Sequence, residues 1–266
     1  LGYLTNKDLA TNVNFEKHKP VNNLNQLLQV VGISEKEGLK EVSVSEAHVE
    51  NLTKNGDKYT ITKEGTPVKI EWQLSLEPNK LYFVEIPERQ AGSVIKSKVL
   101  VDGSSYPYEN RFRENQLWVV GNGNLNKTLT FTIDEGKAKE WDIRGFKFYS
   151  IDIPTLTNTL ERFKKANDIT IDSYSNSTVK AHVNVTNSEQ SFATLTIPYH
   201  SGWSVTVDGQ AQEVQKSLGF FMGVSLTEGE HEIVWTYNPP GLNFGVMLSL
   251  VSLILLVFLW KKQKIE

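Results

Sequence analysis

From Leu242 to Trp260 the sequence carries no charged side chain, and Asn243, Ser249 and Ser252 are its strongly polar groups. A bilayer core takes about 20 apolar residues of helix, the length of this run. A buried core helix is the competing reading. It needs one apolar stripe, whereas here apolar residues fall on every face. Asn238-Pro239-Pro240-Gly241 precedes the run, and Lys261, Lys262 and Lys264 follow it. Lysine excess marks the cytoplasmic side, and Trp260 stands where an interfacial aromatic anchor belongs. The pattern predicts a transmembrane helix over 242–260, a cytoplasmic tail over 261–266 and an extracellular bulk before Leu242.

An exported bulk needs something upstream to translocate it, either a cleaved signal peptide or earlier membrane helices. The chain has no cysteine, which rules out disulfides, thiolate metal sites and cysteine nucleophiles. A formal net charge of -3 gives no electrostatic case for nucleic acid.

Before the apolar run the sequence reads as β structure. Residues 1–40 are expected to be an asparagine-rich loop, Leu1 to Pro20, followed by a short helix. Asn22 or Asn23 can cap that helix, Leu24, Leu27, Leu28 and Val31 share its apolar face, and Gly32 stops it. From Glu41 the period becomes two: Val68, Ile70 and Trp72 alternate with Lys69 and Glu71, and Asn55-Gly56, Glu64-Gly65 and Asp102-Gly103 supply turns. A helix interrupts at Ile153, with Asp152 as cap and Pro154 in its first turn, ending near Asn167-Asp168. Alternation then resumes through Val179, Ala181, Val183 and Val185, through Trp203, Val205 and Val207, and through Gly219 to Val224, read as a buried central strand. Glu232 to Tyr237 is the last strand, its register left open. Short strands at this spacing favour antiparallel sandwich or jelly-roll modules, one over 41–150 and a second over 151–241.

Motifs for chemistry are scarce. Acid–base catalysis needs titratable groups converging on a cleft. Here the acids sit at strand–turn positions, and Asp102 and Asp208 both precede glycine. His18, His48, His182, His200 and His231 show no helical metal-pair spacing, and His231 reads as a turn or edge residue. Gly121-Asn122-Gly123-Asn124 opens no helix and is no phosphate loop. Neither a cofactor nor a metal is expected. Aromatic residues are the remaining signal: Tyr106, Tyr108, Trp118, Trp141, Tyr199, Trp203, Trp235 and Tyr237 could stack on a sugar. Trp72, Trp118 and Trp235 read as core. Tyr199, His200 and Trp203, in the loop Tyr199-His200-Ser201-Gly202-Trp203, are the candidate substrate-binding residues.

The final third carries a recognisable series. IPYHSGWSVTVDGQ, GFFMGVSL and EGEHEIVWTYNPPGLNFG, running into the apolar helix, resemble the C-terminal region of the YfhO family of bacterial membrane proteins. The matching positions include Pro198, Tyr199, Gly202, Trp203, Asp208, Gly209, Gly223, His231, Tyr237, Pro239, Pro240 and Gly241. The resemblance implies an accessory domain of a multi-span membrane protein. Such a parent looks like a polyprenyl-phosphate-sugar-dependent glycosyltransferase acting on teichoic acid or another envelope polymer. It implies as partners the parent's own upstream membrane helices, the membrane, and a lipid-linked sugar or polymer. The family's catalytic acid would lie on an external loop near the first membrane helices, so no catalytic residue is expected in this chain. A sugar-independent cell-surface interaction or structural domain is the alternative.

Overall fold

The computed structural model describes residues 2–34, 36–94, 96–106, 115–166 and 169–263, without the side chains of 91, 92, 166, 259 and 261–263. Tyr108, Asn167, Asp168 and Lys264, invoked above, lie outside the described residues. The chain is mainly β and forms two compact units. One is Val13–Lys165. The other joins Leu1–Asn12 to Ala166–Glu266. Each unit contains a five-stranded and a four-stranded sheet, and every pairing among the described strands is antiparallel.

In the Val13–Lys165 unit the five-stranded sheet runs His48–Glu50, Val68–Ser75, Thr128–Gly136, Lys98–Val101, Ser104–Ser105. The four-stranded sheet runs Gln116–Asn122, Lys80–Ile86, Lys147–Asp152, Lys40–Val42. A small third sheet holds Glu140–Trp141, Lys58–Ile61 and Leu52–Asn55. Strict alternation turns Val68, Ile70, Trp72 and Leu74 inward, where they share a core with Val84, Trp118, Phe131 and Phe148 from both large sheets. The outer face of the four-stranded sheet offers Phe83, Tyr149 and Ile151, which Leu28, Ile33 and Leu39 cover. Leu28 belongs to the helix Pro20–Val30. That helix starts at Pro20 rather than at an asparagine cap, because proline suits a first turn whose N–H is unused anyway. The Asn23 side chain instead bonds both backbone groups of Glu16. The helix Ile153–Ala166 is capped as expected: the Thr155 N–H donates to Asp152 Oδ1 at 2.7 Å.

In the second unit the five-stranded sheet runs Thr170–Tyr174, Thr178–Val185, Gly229–Tyr237, Trp203–Val207, Gln210–Gln212. The four-stranded sheet runs Gly2–Thr5, Phe192–Pro198, Phe221–Ser225, Gln215–Ser217. Two sequence readings are corrected here. The start of the chain is not the expected loop: Gly2–Thr5 pairs with Leu195–Phe192, and Leu4 and Thr5 are buried. Its polar residue is satisfied inside the sheet. The Thr5 hydroxyl donates to the Phe192 carbonyl and contacts Thr194 Oγ1 at 3.1 Å, and Thr194 Oγ1 lies 2.7 Å from Ser217 Oγ. Such a buried hydroxyl chain is invisible to hydropathy. The second correction is at Gly219-Phe220. Leu218 and Gly219 take positive φ, 51° and 75°, so the chain turns there and Phe220 emerges 48% exposed. Only Met222, Gly223 and Val224 are buried as read. The last strand's register is now fixed: Tyr237, Trp235 and Ile233 pair with Trp203, Val205 and Val207. Trp235 and Ile233 are fully buried, and strand alternation puts Tyr237 on their face, opposite Trp203.

The apolar run is a helix, Leu242–Gln263. Its described large apolar side chains are exposed, Phe244 and Ile254 among them. Among the described residues no helix is long and apolar enough to cross a membrane. The transmembrane expectation over 242–260 is therefore not established by the fold.

Candidate functional site

Tyr199, His200 and Trp203 come together at one end of the second unit. Pro198 ends a strand of the four-stranded sheet and Trp203 starts one in the five-stranded sheet, so residues 199–202 bridge the two. Backbone bonds set the bridge. The Tyr199 N–H donates to the Phe220 carbonyl at 2.8 Å, and the Trp203 N–H to the His200 carbonyl at 3.0 Å. The Gly202 carbonyl accepts from the Asn238 N–H at 2.9 Å, which straps the loop to the residues just before the helix. Gly202 is needed there, because a Cβ would sit 2.6 Å from both Asn238 O and Tyr237 Cε2.

The aromatic side chains are partly engaged. Trp203 and Tyr237 lie 5.1 Å apart, and the His200 ring meets Tyr237 edge-on at 5.5 Å. His200 Nδ1 accepts from the Gly202 N–H at 3.1 Å. Tyr199 and Trp203 pack against the core and are only part-exposed, while His200 is exposed. Lys216 Nζ stands 5.3 Å from the Tyr199 ring centroid, a cation–π distance. The site therefore offers aromatic edges and faces, one imidazole and one ammonium, but no carboxylate pair. It can stack and hydrogen-bond. Sequence reasoning did not group Tyr237, Lys216 and Phe220 with the loop. The alternation pairing Tyr237 with Trp203 was the signal available.

Several other titratable groups pair with near neighbours. His231 Nδ1 lies 2.7 Å from Asp208 Oδ2 and its Nε2 3.0 Å from the Thr227 carbonyl, while Asp208 Oδ1 accepts from the Glu232 N–H. The bond from His231, then the one from the Glu232 backbone, holds the Asp208 carboxyl below its usual range. His182 is salt-bridged to Asp172 at 2.6 Å. It lines an open depression of about 330 Å³ with Glu230, His231 and Glu232. His182 faces outward, however, and Val183, which points inward, is the residue paired with His231, so the two imidazoles do not converge. In the Val13–Lys165 unit the Tyr149 hydroxyl donates to Glu85 at 2.9 Å; burial and then the Glu85 charge keep that phenol protonated. Among the described residues no group of three or more His, Asp or Glu could hold a metal. Trp72, Trp118 and Trp235 are buried.

Residues 1–249 match the family described as "Bacterial membrane protein YfhO". A Bacillus subtilis (strain 168) protein named "Uncharacterized protein YfhO" is 35% identical over 77 residues, a match that takes in 29% of this chain and 9% of that protein. Among solved structures, a conserved protein of unknown function, PA5104 from Pseudomonas aeruginosa PAO1, is 12% identical with a TM-score of 0.20, over 75% of this chain and 92% of that one. A β-glucuronidase from Ruminococcus gnavus is 11% identical with a TM-score of 0.21, over 65% and 34%. Superpositions this loose bear neither on the fold nor on the function.

Proposed function

This chain belongs to the YfhO family of bacterial membrane proteins, and on that premise we propose that it is the extracellular accessory part of a multi-span membrane protein. The parent would resemble a polyprenyl-phosphate-sugar-dependent glycosyltransferase acting on teichoic acid or another envelope polymer. In this reading Leu242–Gln263 lies in the bilayer, and its lysine end faces the cytoplasm. Two features support the placement. The exposed apolar side chains surround the helix and need an apolar solvent. The two serines inside the run are already satisfied: Ser249 Oγ donates to the Gly245 carbonyl and Ser252 Oγ to the Leu248 carbonyl, each at 2.9 Å.

The observation that carries the functional reading is the bond from Asn238 to Gly202. It fixes Tyr199, His200 and Trp203 next to the residues from which the helix departs. A lipid-linked sugar, or a polymer anchored in the same leaflet, would reach that end first, and aromatic faces beside a polar ring suit a saccharide. The first strand also begins at that end, since Gly2 pairs with Leu195 on the way to Pro198. Upstream membrane helices of the parent would join there. Chemistry is assigned to the parent, and this chain supplies no catalytic residue.

Replacing Tyr199 and His200 by alanine in the full-length protein tests the binding role. Polymer glycosylation should fall while the amount of protein in the membrane holds. Unchanged glycosylation at normal protein levels rejects it. A loss of protein favours the second reading, a sugar-independent structural or interaction domain, for which the packing of Trp203 and Tyr199 on the core is the specific support. Orientation is tested in intact cells with single cysteines, since the chain has none of its own. Position 126 should react with an impermeant reagent and position 264 should not; the reverse overturns the topology.

A further inference from the structure

The two ends of the second unit differ in chemistry. One end gathers Tyr174, Tyr199, Trp203, Phe220, Phe221 and Tyr237. Tyr174 sits beside the hairpin whose Ser177 carbonyl accepts from the Tyr237 N–H at 2.7 Å, and it is 76% exposed. Phe220 is 48% exposed in a tight turn and lies 4.2 Å from Phe221, ring to ring. Phe221 pairs with Pro198, immediately before the Tyr199 loop. Lys216 lies on the neighbouring strand, with its ammonium over Tyr199. The opposite end carries Glu189, Asp208, Glu228 and Glu230 in its turns and strand starts, all exposed.

From this polarity we propose that the aromatic end is a membrane foot, with Phe220 and Tyr174 seated at the headgroup level of the leaflet the helix enters and Lys216 beside the lipid phosphates. The inference rests on the placement of Leu242–Gln263 in the bilayer and adds a second contact to it. Three observations converge. Exposed aromatic side chains clustered at one end, rather than scattered, mark an interaction surface. The apolar helix leaves from the same end after four residues, the first of which, Asn238, is strapped to the aromatic loop, so the cluster cannot move far from the bilayer surface. The acidic groups occupy the far end, where an anionic headgroup layer does not repel them, while the ammonium stands at the near end, where it is attracted. Phenyl rings and amphipathic tyrosines or tryptophans beside a lysine are the side chains that partition into this layer. A foot of this kind would hold the Tyr199 loop at a fixed height above the leaflet.

The test uses the full chain in vesicles of phosphatidylethanolamine and phosphatidylglycerol, with one nitroxide-labelled cysteine at position 220, 230 or 250. Collision with oxygen, which concentrates in lipid, is compared with collision with a water-soluble nickel chelate. Position 250 reports the helix, 230 the acidic end and 220 the foot. The expected result is lipid-type accessibility at 250, water-type at 230, and at 220 a loss of most chelate collision relative to 230. If 250 is in lipid and 220 is as wet as 230, the foot is overturned while the membrane helix stands. If 250 is itself wet, the membrane placement fails and the foot fails with it. Adding K216Q to the label at 220 should raise chelate collision there if the lysine contacts lipid phosphate; no change removes Lys216 from the foot.

Discussion

The five-stranded sheets of the two units share one strand plan, and the units differ in how they finish it. In the first, the five-stranded sheet ends with Thr128–Gly136, Lys98–Val101 and Ser104–Ser105; in the second, with Gly229–Tyr237, Trp203–Val207 and Gln210–Gln212. Both final hairpins turn at Asp-Gly. Asp102 and Gly103 have φ of 49° and 76°; Asp208 and Gly209 have 52° and 76°. Both aspartates are lashed to the neighbouring strand in the same way. Asp102 N–H donates to the Thr130 carbonyl and Asp102 Oδ1 accepts from the Thr130 N–H; Asp208 does the same with Glu232. The remaining carboxylate oxygen takes an amide, Asn126, in the first unit and an imidazole, His231, in the second. At the other end the chain following Ile-Pro becomes the helix Glu88–Val94 in one unit and the tight aromatic loop 199–202 in the other. The shared plan is scaffold. The departures from it, a titratable clasp and an aromatic loop, are where the second unit acquires its own chemistry.

The largest effects should come from the buried tryptophans that centre each core. Trp141 and Trp235 are both fully buried, so W141A and W235A should each lose about 3–5 kcal/mol of stability in denaturant titrations. The phenylalanine variants sharpen the contrast. Trp141 Nε1 donates to the Ala138 carbonyl at 3.1 Å, whereas Trp235 Nε1 is buried without a partner. W141F should therefore cost about 1 kcal/mol more than W235F, because only the former breaks a made bond. Equal losses would show that the indole N–H of Trp235 is satisfied after all.

Next in size are the glycines of matching strands. A Cβ on Gly223 would meet the Phe192 ring at 2.4 Å and the Ala193 carbonyl oxygen at 2.9 Å; on Gly121 its closest neighbour is the tip of Leu129 at 2.5 Å. A ring backed by main chain cannot yield, whereas a leucine tip can turn. G223A should cost about 1–3 kcal/mol and G121A less, measured as midpoint shifts in the same titrations.

A smaller effect separates the clasps by acid. The His231 bond favours the ionised form of Asp208 in the folded state and so lowers its pKa. Its stabilising contribution is complete above the ordinary carboxylate pKa of about 3.9 and is lost as pH falls through the lower folded value. Melting temperatures followed from pH 6 downward should drop less steeply below about pH 4 in D208N than in the parent chain. Parallel acid limbs would remove Asp208 as a source of acid lability. Smallest of all, surface changes at Val119 or Leu125 in the first unit, and at Phe220 in the second, should alter stability by no more than about 0.5 kcal/mol. Of these, only the Phe220 change should alter accessibility at the membrane foot.

Periodicity and turn chemistry alone determined the antiparallel β character, the Asp-Gly hairpins, the helix behind Asp152 and the apolar helix at the end, because each depends on neighbours in sequence. The family series from Pro198 to Gly241 was likewise legible, as was the Tyr199–Trp203 loop. Tertiary structure alone decided the rest. The first strand joins a sheet completed nearly two hundred residues later, through hydroxyls of Thr5, Thr194 and Ser217 that no local pattern distinguishes from surface ones. Phe220 looks like core until two positive φ angles turn it outward. His231 looks like an edge residue until Asp208, in the turn of a neighbouring hairpin, supplies its partner. Local sequence encodes how a segment bends and which face it hides. Which distant segment it meets is set by the summed burial and hydrogen bonding of the whole core, and the aromatic end of the second unit exists only as that sum.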